Sequence, residues 1–261
     1  VTRNNEGGSM LEKAALILES FSPDGGAFRL TELSVRTGLP KPTVHRLAVD
    51  LVRLGWLERS GPHYRLGPKL FELGSLVPYR LDLRETALPF LQDLFEATRE
   101  TVHLGVREGL EVVYLERIHG HEAPALPSRI GGSLPLSCTA VGKVLLAFSG
   151  GELADELLSR PLPSLTPHSI TDPARLRTAL EKIRVSGLAY EEQESTPGVS
   201  CIAAPVFAGG VTAAALSVAV PRSRFSPAHL APAVRTAALG LSRVLRGGTD
   251  RSSRPRVPSG G

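Results

Sequence analysis

Between Leu30 and Leu57 apolar residues recur twice with the period of a helix. Leu33 and the run Val35 to Thr37 continue a pattern opened by Thr31, whose hydroxyl is placed to cap a helix while Glu32 favours its positive end. Gly38 supplies the backbone freedom to leave that helix, and the apolar Leu39 can plug the space beyond it. A second helix opens at Pro40 to Pro42, since a first-turn proline lacks only an N–H that the helix could not use there. Val44, Leu47, Leu51 and Leu54 follow at three- and four-residue spacing, which predicts one buried face. Lys41, Thr43, His45, Arg46 and Arg53 occupy the other. Two short helices about a tight turn, the second with a polar face, form the pattern of a helix-turn-helix that reads a DNA major groove. Trp56 to Arg59 and His63 to Leu66 then alternate like strands about Ser60-Gly61-Pro62, a hairpin signal. A helix-turn-helix followed by a basic hairpin is a winged helix, with Arg59, His63 and Arg65 near phosphates or a minor groove.

The flanking patterns extend this unit. Ser9 can cap a helix carrying Leu11, Ala14, Ala15, Ile17, Leu18 and Phe21, which completes a three-helix core. Ser22 to Gly26 reads as a turn, and Phe28 to Leu30 as a short strand. After Gly67-Pro68, Leu70, Phe71, Leu73, Leu76 and Val77 have helical spacing, and Pro78 should end or kink that helix. Such a linker helix is a good place for dimer contacts. Another helix is expected from about Leu83 to Arg99, with Leu88, Leu91, Leu94 and Phe95 on one face. Strands are expected at Thr101 to Glu108, Leu110 to Arg117, Leu188 to Glu194, Cys201 to Phe207 and Val211 to Val220, forming a mixed sheet. Ile130 to Leu136 reads as a loop. Helices are expected from Ser137 through Phe148, from Asp172-Pro173 to Gly187, and from Ser226-Pro227 to Gly248. The fold class is α+β: a winged helix-turn-helix over 9–67, a linker helix over 68–83 and a mixed α/β domain over 84–248. Residues 1–8 and 249–261 are polar, rich in Gly, Ser or Arg, and are expected to be disordered.

Charge sharpens the first half of this picture. The net charge is only +4, yet Arg36 to Lys69 holds seven basic residues against Asp50 and Glu58. That local excess exceeds the chain's own and coincides with the motif, as DNA binding requires. No run approaches the ~20 apolar residues of a membrane helix, and the start lacks the apolar segment of a secretory signal. Cys138 and Cys201 stand far apart, in neither a disulfide framework nor a zinc-finger spacing, so a reducing cytoplasm is expected. His119-Gly120-His121-Glu122 lacks further clustered ligands, so neither metal nor cofactor is assigned.

Three segments of the second domain carry candidate chemistry. Leu134 to Lys143 brings a loop into a helix start, where free N–H groups suit an anion. Glu194 to Ile202 is a loop feeding a strand, and Ser217 is a hydroxyl in the apolar strand Ala213 to Val220. If these meet, they enclose a small cavity suited to a small carboxylate or aromatic acid. The alternative is a thiol-dependent enzyme using Cys138 or Cys201, which needs a base or a depressed pKa. Lone cysteines such as these are more often small buried hydrophobes than nucleophiles, and the chain is also consistent with an architectural DNA-binding protein that takes no ligand.

Three runs resemble the IclR family of bacterial transcriptional regulators: P-T-V-H-R-L at Pro42 to Leu47, R-I-G-G-S-L-P-L-S-C-T-A-V-G-K at Arg129 to Lys143, and the stretch Gly187 to Phe207. The resemblance spans nearly the whole chain. It implies that the second domain is GAF-like and binds an effector, and that the protein is a homodimer, often a dimer of dimers, on a palindromic double-stranded DNA operator. It implies effector contacts from Leu134, from the turn Thr139, Ala140, Val141 and Gly142, and from Glu191, Val199, Cys201 and Ser217. Four positions depart from the family pattern. Glu191 stands where Asp is usual, which implies a tighter pocket or an acid turned outward. Ala219 removes a hydroxyl, Ala208 replaces a turn Asp or Asn, and Pro42 removes a serine that could reach a phosphate.

Overall fold

The computed structural model describes residues 8–21, 26–120 and 124–252, with backbone alone at 78–81 and 247–252. The expected turn at Ser22 to Gly26 therefore falls mostly outside the described residues, as do 1–7 and 253–261. Two compact units divide the chain, 1–81 and 82–261.

Among the described residues the first unit holds a core of three helices, a small sheet and a fourth, exposed helix. α1 (Met10–Glu19) is opened by a reciprocal cap, in which the Ser9 hydroxyl accepts from Glu12 N–H at 3.2 Å and Glu12 accepts from Ser9 N–H at 2.6 Å. β1 (Phe28–Arg29) leads directly into α2 (Leu30–Thr37). Thr31 is not its cap, because the helix already starts at Leu30. Glu32 reaches back to Arg29 N–H at 2.6 Å instead. Gly38 closes α2 at φ +71°, where a side chain would be strained, and α3 (Lys41–Arg53) follows. Val44, Leu47 and Leu51 are buried with Leu33, Leu39 and Ile17. Val35 and Leu54 are exposed, against the expected pattern; Ala48 takes the place on the inner face that Leu54, at the cap, cannot reach. β2 (Leu57–Ser60) and β3 (His63–Leu66) form the hairpin, and β1 adds to β3 to give a three-stranded antiparallel sheet. α4 (Pro68–Gly74) ends before Pro78, and Phe71 and Leu76 on and just after it are exposed.

The second unit is a six-stranded sheet between two helical layers. α5 (Pro78–Thr98) begins at Pro78, earlier than expected, and buries Leu83, Ala87, Leu91 and Leu94. β4 (Thr101–Glu108) and β5 (Glu111–Ile118) form a hairpin. Ser133–Pro135, expected as loop, pairs with β5 as a short strand, β6. A 3₁₀ turn (Leu136–Cys138) precedes α6 (Ala140–Ala147), and α7 (Gly151–Leu158), which periodicity alone did not reveal, follows. α8 (Pro173–Ser186) is capped by Asp172, whose carboxylate accepts from Ala174 N–H at 2.9 Å, and ends at Gly187 with φ +70°. β7 (Ala189–Glu192), β8 (Val199–Ala208) and β9 (Val211–Pro221) complete the sheet in the order β6-β5-β4-β9-β8-β7. Each pairing is antiparallel, so the expected mixed sheet is corrected: hairpins or loops join the neighbours β4-β5, β5-β6, β7-β8 and β8-β9, and the helical segment from α6 to α8 leads from one edge strand to the other. α9 (Pro227–Ser252) runs past Gly248, where the sequence pattern placed its end.

The two sheet faces bury different side chains. Val102, Leu104, Leu216, Val218, Ile202 and Ala204 pack against α5 and α9. The opposite face packs against α6, α7 and α8 through smaller residues, among them Ala203 and Ala215. Gly142 permits the closest approach there, since a Cβ on it would lie 2.2 Å from the Leu136 carbonyl oxygen. Gly142→Ala should therefore destabilise the second unit by about 2–4 kcal/mol through overpacking, read as a fall in urea midpoint with unchanged slope.

Candidate functional site

The small-residue face of the sheet carries a polar cavity. Register places its floor across five neighbouring strands: Tyr114 on β5 opposite Gly105, His103 on β4 opposite Ser217 on β9, and Ala219 opposite Cys201 on β8, itself opposite Glu191 on β7. The walls are Leu134, the start of α6 at Thr139 to Val141, the loop residues Ser195 and Thr196, and Leu126 to Ser128. Leu134, Thr139, Ala140, Val141, Glu191, Cys201 and Ser217 thus come together from three distant segments. Two expected members do not line the cavity. Val199 is buried beside it, and Gly142 spends its N–H on the Thr139 hydroxyl at 2.9 Å.

Glu191 is fully buried. Its Oε1 accepts from Glu194 N–H and from Ser195 N–H, the latter at 3.1 Å. Its Oε2 finds no partner among the described residues, nor does Thr196 Oγ1. Burial pushes the carboxyl above the usual range, against the pull of those backbone donors. The longer Glu at this position therefore turns inward, not outward, held by the loop that follows it. That loop is itself pinned. Thr166 Oγ1 donates to Gln193 O at 2.6 Å, Ser169 Oγ donates to Glu194 O at 2.7 Å, and Lys143 of α6 pairs with Glu194 in a buried ion pair.

His103, which sequence reasoning passed over, sits at the other side of the floor. Its Nε2 lies 2.8 Å from Ser128 Oγ and its Nδ1 3.4 Å from Ser217 Oγ. Burial, with Arg117 and His119 nearby, holds the imidazole down at about 3, so it is neutral. Tyr114 and Ser128 were also missed, and although Lys143, Glu194 and Thr196 lie in the segments singled out, the pairing of Lys143 with Glu194 was not foreseen. A period-two signal could have found His103: in T-V-H-L-G-V, as in A-L-S-V-A-V around Ser217, the small and polar residues alternate with large apolar ones.

Neither cysteine is poised as a nucleophile. Burial pushes the Cys138 thiol up, and it donates to Pro163 O at 3.3 Å away from the cavity. Burial and Glu191 push Cys201 up further. His119 of the H-G-H-E stretch accepts from Arg117 Nε at 3.0 Å, while His121 and Glu122 lie outside the described residues.

In the first unit, Thr31, Lys41, His45, Arg46, Arg53, Arg59 and Arg65 are exposed, and Thr43 and His63 partly so. Several are tied within the protein. Arg53 pairs with Asp50 at 2.9 Å, and Arg65 pairs with Glu58 across the wing at 2.6 Å. Arg59 Nε donates to the Gly61 carbonyl at 3.0 Å, Arg46 touches Met10 Sδ at 3.4 Å, and His63 accepts from Arg29 at 3.3 Å. Exposed pairs of this kind contribute about 0–1 kcal/mol, so a phosphate can replace the acid.

A winged helix-turn-helix unit followed by an α/β unit with a polar cavity defines a class of DNA-binding regulator with a separate sensing domain. Comparison with known proteins agrees. The family model of the bacterial transcriptional regulator IclR C-terminal domain matches residues 77–243, and that of the IclR helix-turn-helix domain matches 10–61. The chain is 37% identical to the HTH-type transcriptional regulator XynR of Escherichia coli K12 over 242 residues, 90% of this chain and 96% of XynR. It is 36% identical to the regulator BhcR of Paracoccus denitrificans over 239 residues, 90% of this chain and 85% of BhcR. An IclR homolog from Microbacterium hydrocarbonoxydans, solved with 4-hydroxybenzoate, superposes with a TM-score of 0.83 at 35% identity, covering 92% of this chain and all of that one. The chain belongs to the IclR family of bacterial transcriptional regulators. The family is one of DNA-binding regulators and not of enzymes, and the thiol-enzyme alternative finds no support. Among the described residues no helix is long and apolar enough to cross a membrane.

Two outcomes follow from the site's electrostatics. Lys143→Ala leaves Glu194 buried without its cation and should cost about 3–5 kcal/mol of stability, whereas Lys143→Met with Glu194→Met should cost much less; urea unfolding separates the two. His103 is held neutral in the folded state but titrates near the ordinary value of about 6.5 once unfolded. The unfolded chain therefore binds one more proton as pH falls from about 6.5 toward about 3. Over that window the wild-type protein should lose about 1.4 kcal/mol per pH unit more than His103→Gln, measured as unfolding free energy between pH 6 and 4.

Proposed function

We propose that the cavity of the second unit binds a small organic acid and that its occupancy controls DNA binding by the first. The observation that carries this reading is the fully buried Glu191, which lines the cavity opposite Cys201 and whose Oε2 has no hydrogen-bond partner of good geometry among the described residues, while its Oε1 is held by two backbone N–H groups. A buried polar atom without a partner is costly, and a site that keeps one is suited to a ligand that supplies the missing hydrogen bond. In this reading Leu134, Thr139, Ala140, Val141, Glu191, Cys201 and Ser217 contact the effector, while Gly142 and Val199 shape the walls. The structural relative carrying 4-hydroxybenzoate supports a hydroxylated aromatic acid as the first compound to try. A GAF-like sensing domain is the architecture this implies.

On the DNA side, Lys41, Thr43, His45 and Arg46 at the start of α3 enter the major groove. Thr31, Arg53, Arg59, His63 and Arg65 hold the phosphate backbone. The exposed Phe71, Leu73 and Leu76 of the α4 segment support a homodimer, which pairs into a dimer of dimers on a palindromic operator. An effector then regulates only by binding one arrangement of the DNA readers better than another.

Arg46→Ala should weaken operator binding and relax its sequence preference. Arg65→Ala should weaken binding to all sequences about equally and lower the salt slope by about one. Mobility-shift titrations at several salt concentrations measure both, and unchanged affinity of Arg46→Ala would remove α3 as the reading helix.

A further inference from the structure

The cavity encloses only ≈ 20 Å³ of free space, room for about one water molecule. Organic ligands occupy pockets of about 300–1,000 Å³, so some wall must yield before one enters. The floor cannot do so cheaply: Tyr114, His103, Ser217, Ala219 and Cys201 come from interior strands hydrogen-bonded on both edges, and Glu191, on the edge strand β7, is held by the Glu194 and Ser195 N–H groups. The α6 start is buried and capped by Thr139. The loop after β7 is pinned by Thr166, Ser169 and the Lys143–Glu194 pair.

Leu126 to Ser128 differ from the other walls. The neighbouring Ala125, Pro127, Arg129 and Ile130 are exposed, and Ser128 is the one residue of this stretch that is buried, at 5% exposure. Its hydroxyl lies 2.8 Å from His103 Nε2. Just downstream, Gly131 N–H donates to Tyr114 O at 2.8 Å and Gly131 has φ +74°, which provides an anchored point about which the stretch can swing.

We propose that the His103–Ser128 hydrogen bond is the latch of the effector pocket, making this pair a further determinant of effector affinity: Ser128 holds the imidazole's hydrogen bond while the pocket is closed, and an effector oxygen takes that bond when the stretch swings out. The proposal rests on reading this cavity as the effector site. His103 suits the role because a neutral imidazole carries one donor and one acceptor, which Ser217 and Ser128 satisfy together by rotating their hydroxyls. The latch costs an effector little to open, since it trades one hydrogen bond for another.

Cys201 lines the cavity beneath this stretch, and the chain has only two cysteines. In the full chain carrying Cys138→Ala, Cys201 is therefore a built-in reporter of pocket opening. Its labelling rate with methyl methanethiosulfonate, a small neutral reagent, follows the open fraction. Adding Ser128→Ala or His103→Leu should accelerate labelling about five-fold, the weight of one hydrogen bond, and Ser128→Thr should restore the slow rate. Labelling of Ser128→Ala at the parent rate overturns the latch. So does an equal acceleration by Val144→Ala at the same loss of Tm, because loosening would then be global. Protection of Cys201 by 4-hydroxybenzoate in the same assay tests the effector reading separately. Acceleration without protection leaves the latch standing and removes the hydroxylated aromatic acid from the proposed function.

Discussion

The buried ion pair between Lys143 and Glu194 ties the second unit together. Lys143 stands in the first turn of α6 with its side chain 2% exposed, and Glu194 lies on the loop between β7 and β8 at 8%. Two charges brought out of water repay their desolvation only when well paired, so such a pair contributes positioning more than net stability. Here it fixes the loop whose backbone N–H groups at Glu194 and Ser195 orient Glu191. Without that loop the Glu191 carboxylate would have neither its inward direction nor its two donors. The same lysine keeps α6 against the sheet, where Gly142 lets the helix approach the Leu136 turn.

The sheet divides its labour by face. Large aliphatic residues on one face pack against α5 and α9. The other face carries small and polar residues, and this difference makes a cavity possible at all. His103, Ser217, Ala219, Cys201 and Glu191 all project from that second face because pairing in register aligns residues of like parity across strands. Ala219, where a hydroxyl was absent from the expected pattern, leaves an apolar patch between Ser217 and Cys201. The cavity is therefore polar at two poles, His103 with Ser217 at one and Glu191 at the other, and apolar between them.

In the winged unit the charges are local and exchangeable. Arg53 and Arg65 are paired with acids of their own element or hairpin, yet both remain more than half exposed at their side chains. Such pairs are weak in water and are screened by salt. They hold the arginines in extended positions without committing them. Pro42 gives α3 a rigid first turn in place of a hydroxyl, which leaves the polar side chains around it to make the approach.

How much of this was legible in the chain differs between the two halves. The helix-turn-helix and wing are local: a 3.6-residue period, Gly38, Pro40 to Pro42 and a short hairpin each act within a few residues, so Leu30 to Leu66 could be read nearly as it stands. Two of the errors there, Thr31 as a cap and Leu54 as buried, concern helix ends, where a shift of one residue changes which side chain meets a free N–H; the third, Val35, is an apolar residue on the outer face of α2. The strands and capped helices of the second unit were legible for the same reason, and the resemblance to relatives pointed to Thr139, Glu191, Cys201 and Ser217. Only the tertiary structure could decide that β6 is a strand, that the sheet is antiparallel throughout, that His103 and Ser128 line the cavity, and that Lys143 pairs with Glu194. His103 and Ser128 are 25 residues apart, and Lys143 and Glu194 are 51 apart. Contacts at such separations arise from strand register and helix packing, which depend on the whole sheet and leave no period in the sequence.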